Sequence, residues 1–85
     1  MIKYHIEITR PAEKELLSYP AKLQNRIINK INLLADNPRP FGFKKLFGVN
    51  LYRIRTGDYR IIYTVDDTRR SIRIIDLGHR KDIYR

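Results

Sequence analysis

Between Leu51 and Leu77, three short runs rich in β-branched and aromatic residues, Leu51–Arg55, Tyr59–Val65 and Ser71–Leu77, follow one another with only turn-length segments between them. Apolar residues that return at every second position mark strands whose alternate side chains enter a core. The first two runs are separated by Thr56-Gly57, which reads as a hairpin loop. The third follows the charged turn Asp66-Asp67-Thr68-Arg69-Arg70. This part of the chain is therefore committed to an antiparallel sheet, and one face of that sheet has to be covered.

The first half supplies the cover. Ile2, Tyr4, Ile6 and Ile8 alternate with Lys3, His5, Glu7 and Thr9, the pattern of one more strand. Pro11 then stands where the first turn of a helix tolerates it, and Glu13 and Glu15 favour the positive end of the helix dipole. Ala12, Leu16 and Tyr19 recur at spacings of four and three, and the helix ends at Tyr19-Pro20, because the residue before proline is pushed out of the helical region. From Ala21 to Asp36 a second helix places Leu23, Ile27, Ile31 and Leu34 on one stripe, widened by Ile28 and Ala35. Asn37-Pro38-Arg39-Pro40 stops it, and Phe41 to Asn50 reads as a long basic loop pivoting on Gly42 and Gly48. The expected fold is α+β, a small and mainly antiparallel four-stranded sheet with an N-terminal helical hairpin on one face, in the order βααβββ. All 85 residues are assigned to one domain.

The absence of cysteine removes disulfides, thiolate metal sites and a cysteine nucleophile, and permits a reducing compartment. We expect a cytoplasmic protein, since no apolar run is long enough to span a membrane and Met1 to Arg10 lacks the apolar stretch of a signal peptide. Charge is more informative. Eighteen Lys and Arg against nine Asp and Glu leave a formal net charge of +9. Between Pro38 and Arg60, six cations face the single acid Asp58, so more than half of the excess lies in about a quarter of the chain. Such a concentration favours an anionic partner, with nucleic acid first and an acidic protein second.

With Thr56 and Gly57 as the loop, Arg53 lies opposite Arg60, and Tyr52, Ile54, Tyr59, Ile61 and Tyr63 share the core face. Leu51, Arg53, Arg55, Arg60 and Ile62 then point to the other face. Like charges directly opposed destabilise a sheet. A pair kept there fits an anion, and a phosphodiester matches the bidentate fork of guanidinium. The plainer alternative is that both side chains splay into water or pair with Asp58 and Asp76. After the last strand comes Gly78-His79-Arg80-Lys81-Asp82-Ile83-Tyr84-Arg85, which adds an imidazole, a guanidinium and a phenol beside the end of the same sheet. Two distant histidines, scattered acids and no glycine-rich phosphate loop give no pattern for a metal or a nucleotide cofactor, so none is expected. Chemistry here would have to be done by Arg, Lys, Tyr and His.

These residues resemble the RelE/ParE toxin superfamily over nearly the whole chain. The segments YHIEITRPAEKELLSYP, KKLFG, LYRIRTGDYRIIYTVDD and IIDLGHRKDIYR occur in the family's order and spacing. The resemblance implies the same βααβββ fold and the role of toxin in a type II toxin–antitoxin pair, with an acidic cognate antitoxin as partner. It leaves two activities open: ribosome-dependent cleavage of A-site mRNA on the RelE branch, and poisoning of DNA gyrase on the ParE branch. The tail GHRKDIY looks like the RelE branch. Carried over by motif, the basic catalytic positions fall on Arg53, Arg60 and Arg80, and the terminal tyrosine on Tyr84. Arg55, His79, Lys44 and Lys45 are implied in substrate binding. The best-known RelE pattern has lysines where this chain has Arg53 and Arg55, and a guanidinium does not deprotonate in a protein, so neither serves as general base. Proton transfer is left between Tyr84 and His79.

Overall fold

The first and last strands lie side by side. A computed structural model of the chain describes residues 3–46, 48 and 50–79, and over these it forms strand β1 (His5–Ile8), helices α1 (Arg10–Leu17) and α2 (Ala21–Asp36), and strands β2 (Lys44–Lys45), β3 (Tyr52–Thr56), β4 (Tyr59–Asp66) and β5 (Ser71–His79). The sheet order is β1-β5-β4-β3-β2, with β1 parallel to β5 and every other pair antiparallel. The fold is the expected α+β arrangement with one strand more than expected. Lys44 and Lys45, within the segment read as a loop, form the two-residue β2 against Arg53 and Tyr52. A strand of that length leaves too short an alternation to be visible in sequence.

Both helices bury the stripe that their spacing predicts. Ala12 and Leu16 of α1, and Ile27, Ile31 and Leu34 of α2, pack on Tyr52, Ile54, Ile61, Tyr63, Val65, Ile72, Ile74 and Leu77 of the sheet. Full burial of each large aliphatic side chain stabilises the fold by roughly 1.5–3 kcal/mol. Pro11 stands at the start of α1, and Thr9 before it does not cap the helix with its side chain. Instead the Thr9 hydroxyl donates to the carbonyls of Ile74 at 2.9 Å and Ile75 at 3.1 Å.

Those two carbonyls mark an irregularity. Ile62 pairs with Asp76 but Tyr63 pairs with Ile74, so Ile75 is an extra residue in β5, a β-bulge. Because side chains alternate with a period of two, one extra residue exchanges the faces of everything after it. Ile72 and Ile74 enter the core before the bulge, and Leu77 enters it after.

The β3–β4 hairpin differs from the sequence expectation by its loop. The turn is Gly57-Asp58, with Gly57 at φ +61°, as the first central position of a type II′ turn requires. Arg55 therefore lies opposite Arg60, and Arg53 lies opposite Ile62. This corrects the expected Arg53–Arg60 pairing. Moving the turn by one residue shifts the pairing by two, so the face of every side chain is the one predicted.

A second cluster fixes the segment after α2. The Arg39 guanidinium donates to Asp67 at 3.0 and 3.3 Å and to the Tyr52 hydroxyl at 3.2 Å, and lies 5.1 Å from the Tyr52 ring centre. Tyr4 donates to Asp67 at 2.7 Å, and Tyr63 donates to the Pro38 carbonyl at 2.7 Å. Asp67 is held below the usual carboxylate range by Arg39 first and Tyr4 second. Burial pushes the Tyr63 phenol up to about 12.

Candidate nucleic-acid interface

The face of the sheet away from the helices carries Lys44 on β2, Arg53 and Arg55 on β3, and Arg60 and Ile62 on β4. Lys44 is directly opposite Arg53, and Arg55 is directly opposite Arg60. Arg53 and Arg60 are diagonal neighbours across one pair, a relation that separates Cα atoms by about 7–8 Å. Three guanidiniums and an ammonium thus share one small area.

Their burial is uneven. Arg53 is 5 % and Arg60 6 % exposed, whereas Arg55 and Lys44 are exposed. Neighbouring strands explain the difference. Arg60 stands between β3 and β5, and Arg53 between β2 and β4, but β2 does not reach as far as Arg55. The plainer alternative, that both arginines splay into water, does not hold: Arg53 and Arg60 lie beneath the surface. A guanidinium keeps its charge there, and where water is scarce its field is screened less than at the surface. Such a site attracts a multiply charged oxyanion, for which the planar fork is geometrically suited.

The other predicted residues divide. Lys45 is opposite Tyr52 and so belongs to the helix side of the sheet. His79 is opposite Tyr59, which packs edge-on against Tyr19 at 5.2 Å and against the His79 ring at 5.4 Å. The Ile75 bulge thus turns His79 to the helix side, away from Arg53 and Arg60, so the structure does not bring this imidazole to the arginine face. No alternation at residue 75 announces that reversal in the amino-acid pattern. Arg80 and Tyr84 lie outside the described residues. Among the described residues no three His, Asp or Glu side chains gather as a metal-holding set, and no helix is long and apolar enough to cross a membrane.

Where β2 stops, the edge of β3 borders an open cleft of about 420 Å³ lined by Lys30, Phe41, Gly42, Lys44, Arg53, Ile54 and Arg55. Lys30 and Phe41 are additions to the residues that sequence reasoning selected. Lys30 lies on α2 outside its apolar stripe, where a lysine is ordinary. Phe41 carried one signal, a large aromatic between a proline and a glycine in a basic loop.

Residues 6–84 match the family model described as ParE toxin of type II toxin–antitoxin systems, parDE. The chain belongs to the RelE/ParE toxin family. Toxin RelE of Mycobacterium tuberculosis is 33 % identical over 85 residues, which span 96 % of this chain and 87 % of that protein. The archaeal RelE–RelB complex of Pyrococcus horikoshii contains a chain that superposes with a TM-score of 0.83 at 33 % identity, covering 95 % of this chain and 99 % of that one. A chain of the RelBE2 toxin–antitoxin complex of M. tuberculosis superposes at 0.85 with 25 % identity, covering 96 % and 97 %. This protein is thus a toxin of the type II toxin–antitoxin class on the RelE fold.

Proposed function

We propose that this toxin is an mRNA endoribonuclease that acts within the ribosome, in the cytoplasm and without a metal, and so inhibits translation. The observation that carries this reading is the convergence of Arg53, Arg55 and Arg60 on one sheet face, two of them buried. Cutting RNA by its own 2′-hydroxyl passes through a phosphorane with added negative charge. Fixed guanidiniums stabilise that charge without having to reorganise. Arg53 and Arg60, with Arg80 from the segment after β5, clamp the scissile phosphate, and Arg55 and Lys44 hold the flanking backbone. With His79 turned to the helix side, orientation of the base and proton transfer fall to Tyr84. The products are a 2′,3′-cyclic phosphate and a 5′-hydroxyl.

Among the described residues the arginine face carries one carboxylate, Asp76 opposite Ile62, and no strong acid–base pair, so the substrate must be positioned from outside, and the ribosome supplies that positioning. The inhibitory partner is an acidic antitoxin that covers the cationic face, in keeping with the RelE–RelB complex of P. horikoshii and the net charge of +9. Lys45, on the other side of the sheet, is left to sequence-independent contacts with ribosomal RNA backbone.

The description of the matching family as ParE favours a second reading, in which the same surface binds and poisons DNA gyrase without cleaving RNA. Translating ribosomes carrying a defined mRNA, assayed beside gyrase supercoiling, separate the two. Cleavage in the ribosome that survives EDTA while magnesium-dependent ribosome integrity is maintained supports the nuclease reading. Rapid cutting of naked RNA would overturn ribosome dependence, and stalled gyrase with intact mRNA would replace the nuclease reading with the second.

A further inference from the structure

Phe41 is the most exposed large apolar side chain of the described residues, with its full surface in water. Burying such a ring is worth a few kcal/mol, and the Arg39 clamp holds the segment just before it in place. The ring borders the cleft at the open edge of β3, where the remaining lining includes four cations, Lys30, Lys44, Arg53 and Arg55, and among the described residues no acid. Gly42, next in the chain, has φ +93° and nothing within 4 Å of where a side chain would begin, so the ground beside the ring is clear.

An exposed aromatic face bordered by cations is the combination that binds single-stranded nucleic acid: the ring stacks on a base and the cations track the phosphates. We infer that the cleft holds one unpaired nucleotide of the RNA strand, its base stacked on Phe41 and its phosphate among Lys30, Lys44 and Arg55. About 420 Å³ is room for a nucleobase with its sugar. Charge complementarity selects this occupant, since a cleft lined by four cations repels a basic partner surface, and an apolar one would strip the cations of water without offering a counter-charge. The inference rests on the nuclease reading of the neighbouring arginine face and adds to it a binding position for a nucleotide flanking the cut.

The chain has no tryptophan, so Phe41→Trp creates a single reporter at the site. We expect a 2′-O-methyl hexaribonucleotide, which cannot be cut, to quench that emission saturably and in a salt-dependent way. An abasic strand of the same length should leave the emission nearly unchanged. In anisotropy titrations of the labelled hexamer, Phe41→Ala should bind about 5- to 150-fold more weakly than the parent, the range that stacking of one base represents. Phe41→Tyr, which keeps the ring, should restore binding. Emission unmoved at millimolar hexamer, equal quenching by the abasic strand, or unchanged affinity in Phe41→Ala would each overturn the inference. Stronger quenching by polyglutamate than by the hexamer would assign the cleft to an acidic protein instead. The two readings fail separately: quenching by the hexamer with uncut mRNA in ribosomes removes the nuclease and keeps the cleft, whereas parent-like cleavage by Phe41→Ala with unmoved emission does the reverse.

Discussion

The β3–β4 hairpin shows two unlike surfaces built from alternating positions of the same two strands. On the helix side Tyr52, Ile54, Ile61, Tyr63 and Val65 are buried against α1 and α2. On the other side Arg53 and Arg60 are buried as well, but they are cations, with Arg55 placed directly opposite Arg60. The first surface is what folding requires, because burial of those side chains is favourable in itself. The second carries a cost, since Arg55 and Arg60 set like charges directly opposite each other. Stability is thus supplied by one face and spent by the other, which is how a site meant for a multiply charged ligand differs from a core.

The comparison predicts opposite consequences for neighbouring residues. Ile61→Ala, at a position with no exposure, should destabilise the domain by about 2–5 kcal/mol in urea unfolding. Any toxin that remains folded should cleave ribosome-bound mRNA at the parent's rate under saturating conditions. Arg60→Ala, one residue earlier, should do the reverse. Its single-turnover rate should fall on the order of 10²-fold or more, roughly 3 kcal/mol of barrier, while stability changes by less than in Ile61→Ala because a facing like charge has gone. If Arg60→Ala unfolds the domain and Ile61→Ala slows the chemical step, the division between faces is wrong.

A smaller effect sharpens the core side. Tyr63→Phe removes the hydroxyl that donates to the Pro38 carbonyl and should cost about 1 kcal/mol. The buried phenol also predicts a pH dependence. Its folded value is raised to about 12, so its contribution is complete below the ordinary phenol value of about 10 and is lost as pH rises through 12. Replacing Tyr63 by Phe should therefore flatten the alkaline loss of stability between those values. The same loss in both proteins would show that another group governs it. Asp67 has the opposite sign. Its lowered value makes its contribution present above about pH 3.9 and lost in acid.

The smallest expected effect belongs to the rim of the cationic face. Lys44→Ala should raise the toxin concentration needed for half-maximal cleavage, more so at low salt, and leave the rate at saturation near that of the parent. A defect that is insensitive to salt and confined to the saturated rate would move Lys44 into the chemical step.

Elements governed by long periodicity were legible in the sequence. The stripe through Ile27, Ile31 and Leu34 determined α2 from Ala21 to Asp36, because many positions state the same period. Features decided by one residue were not. Gly57 can stand second in a Thr-Gly turn or first in a Gly-Asp turn, and the backbone chooses the latter. The extra Ile75 is one apolar residue among several, yet it moves His79 across the sheet. Burial of Arg53 and Arg60 depends on which strands flank them, and the two-residue β2 that flanks Arg53 has no pattern of its own. The residues of the arginine face could therefore be named from the sequence, but not its depth or its cleft.

The parallel pairing of β1 with β5 joins His5 to Ser71 and Ile8 to Ile74, and this has a bearing on the timing of folding. Contacts between segments so distant in sequence close a long loop before they are rewarded, which slows formation of the sheet relative to a chain of local contacts. It also means that β1 has no strand to pair with until β5 has been synthesised. The hairpin that presents Arg53 and Arg60 emerges before its neighbour β5 is available to complete the sheet around it. A nascent toxin is thus kept from its finished cationic surface until synthesis has passed Gly78, the residue of β5 that pairs with Arg60, so the order of strands itself delays the appearance of a harmful activity.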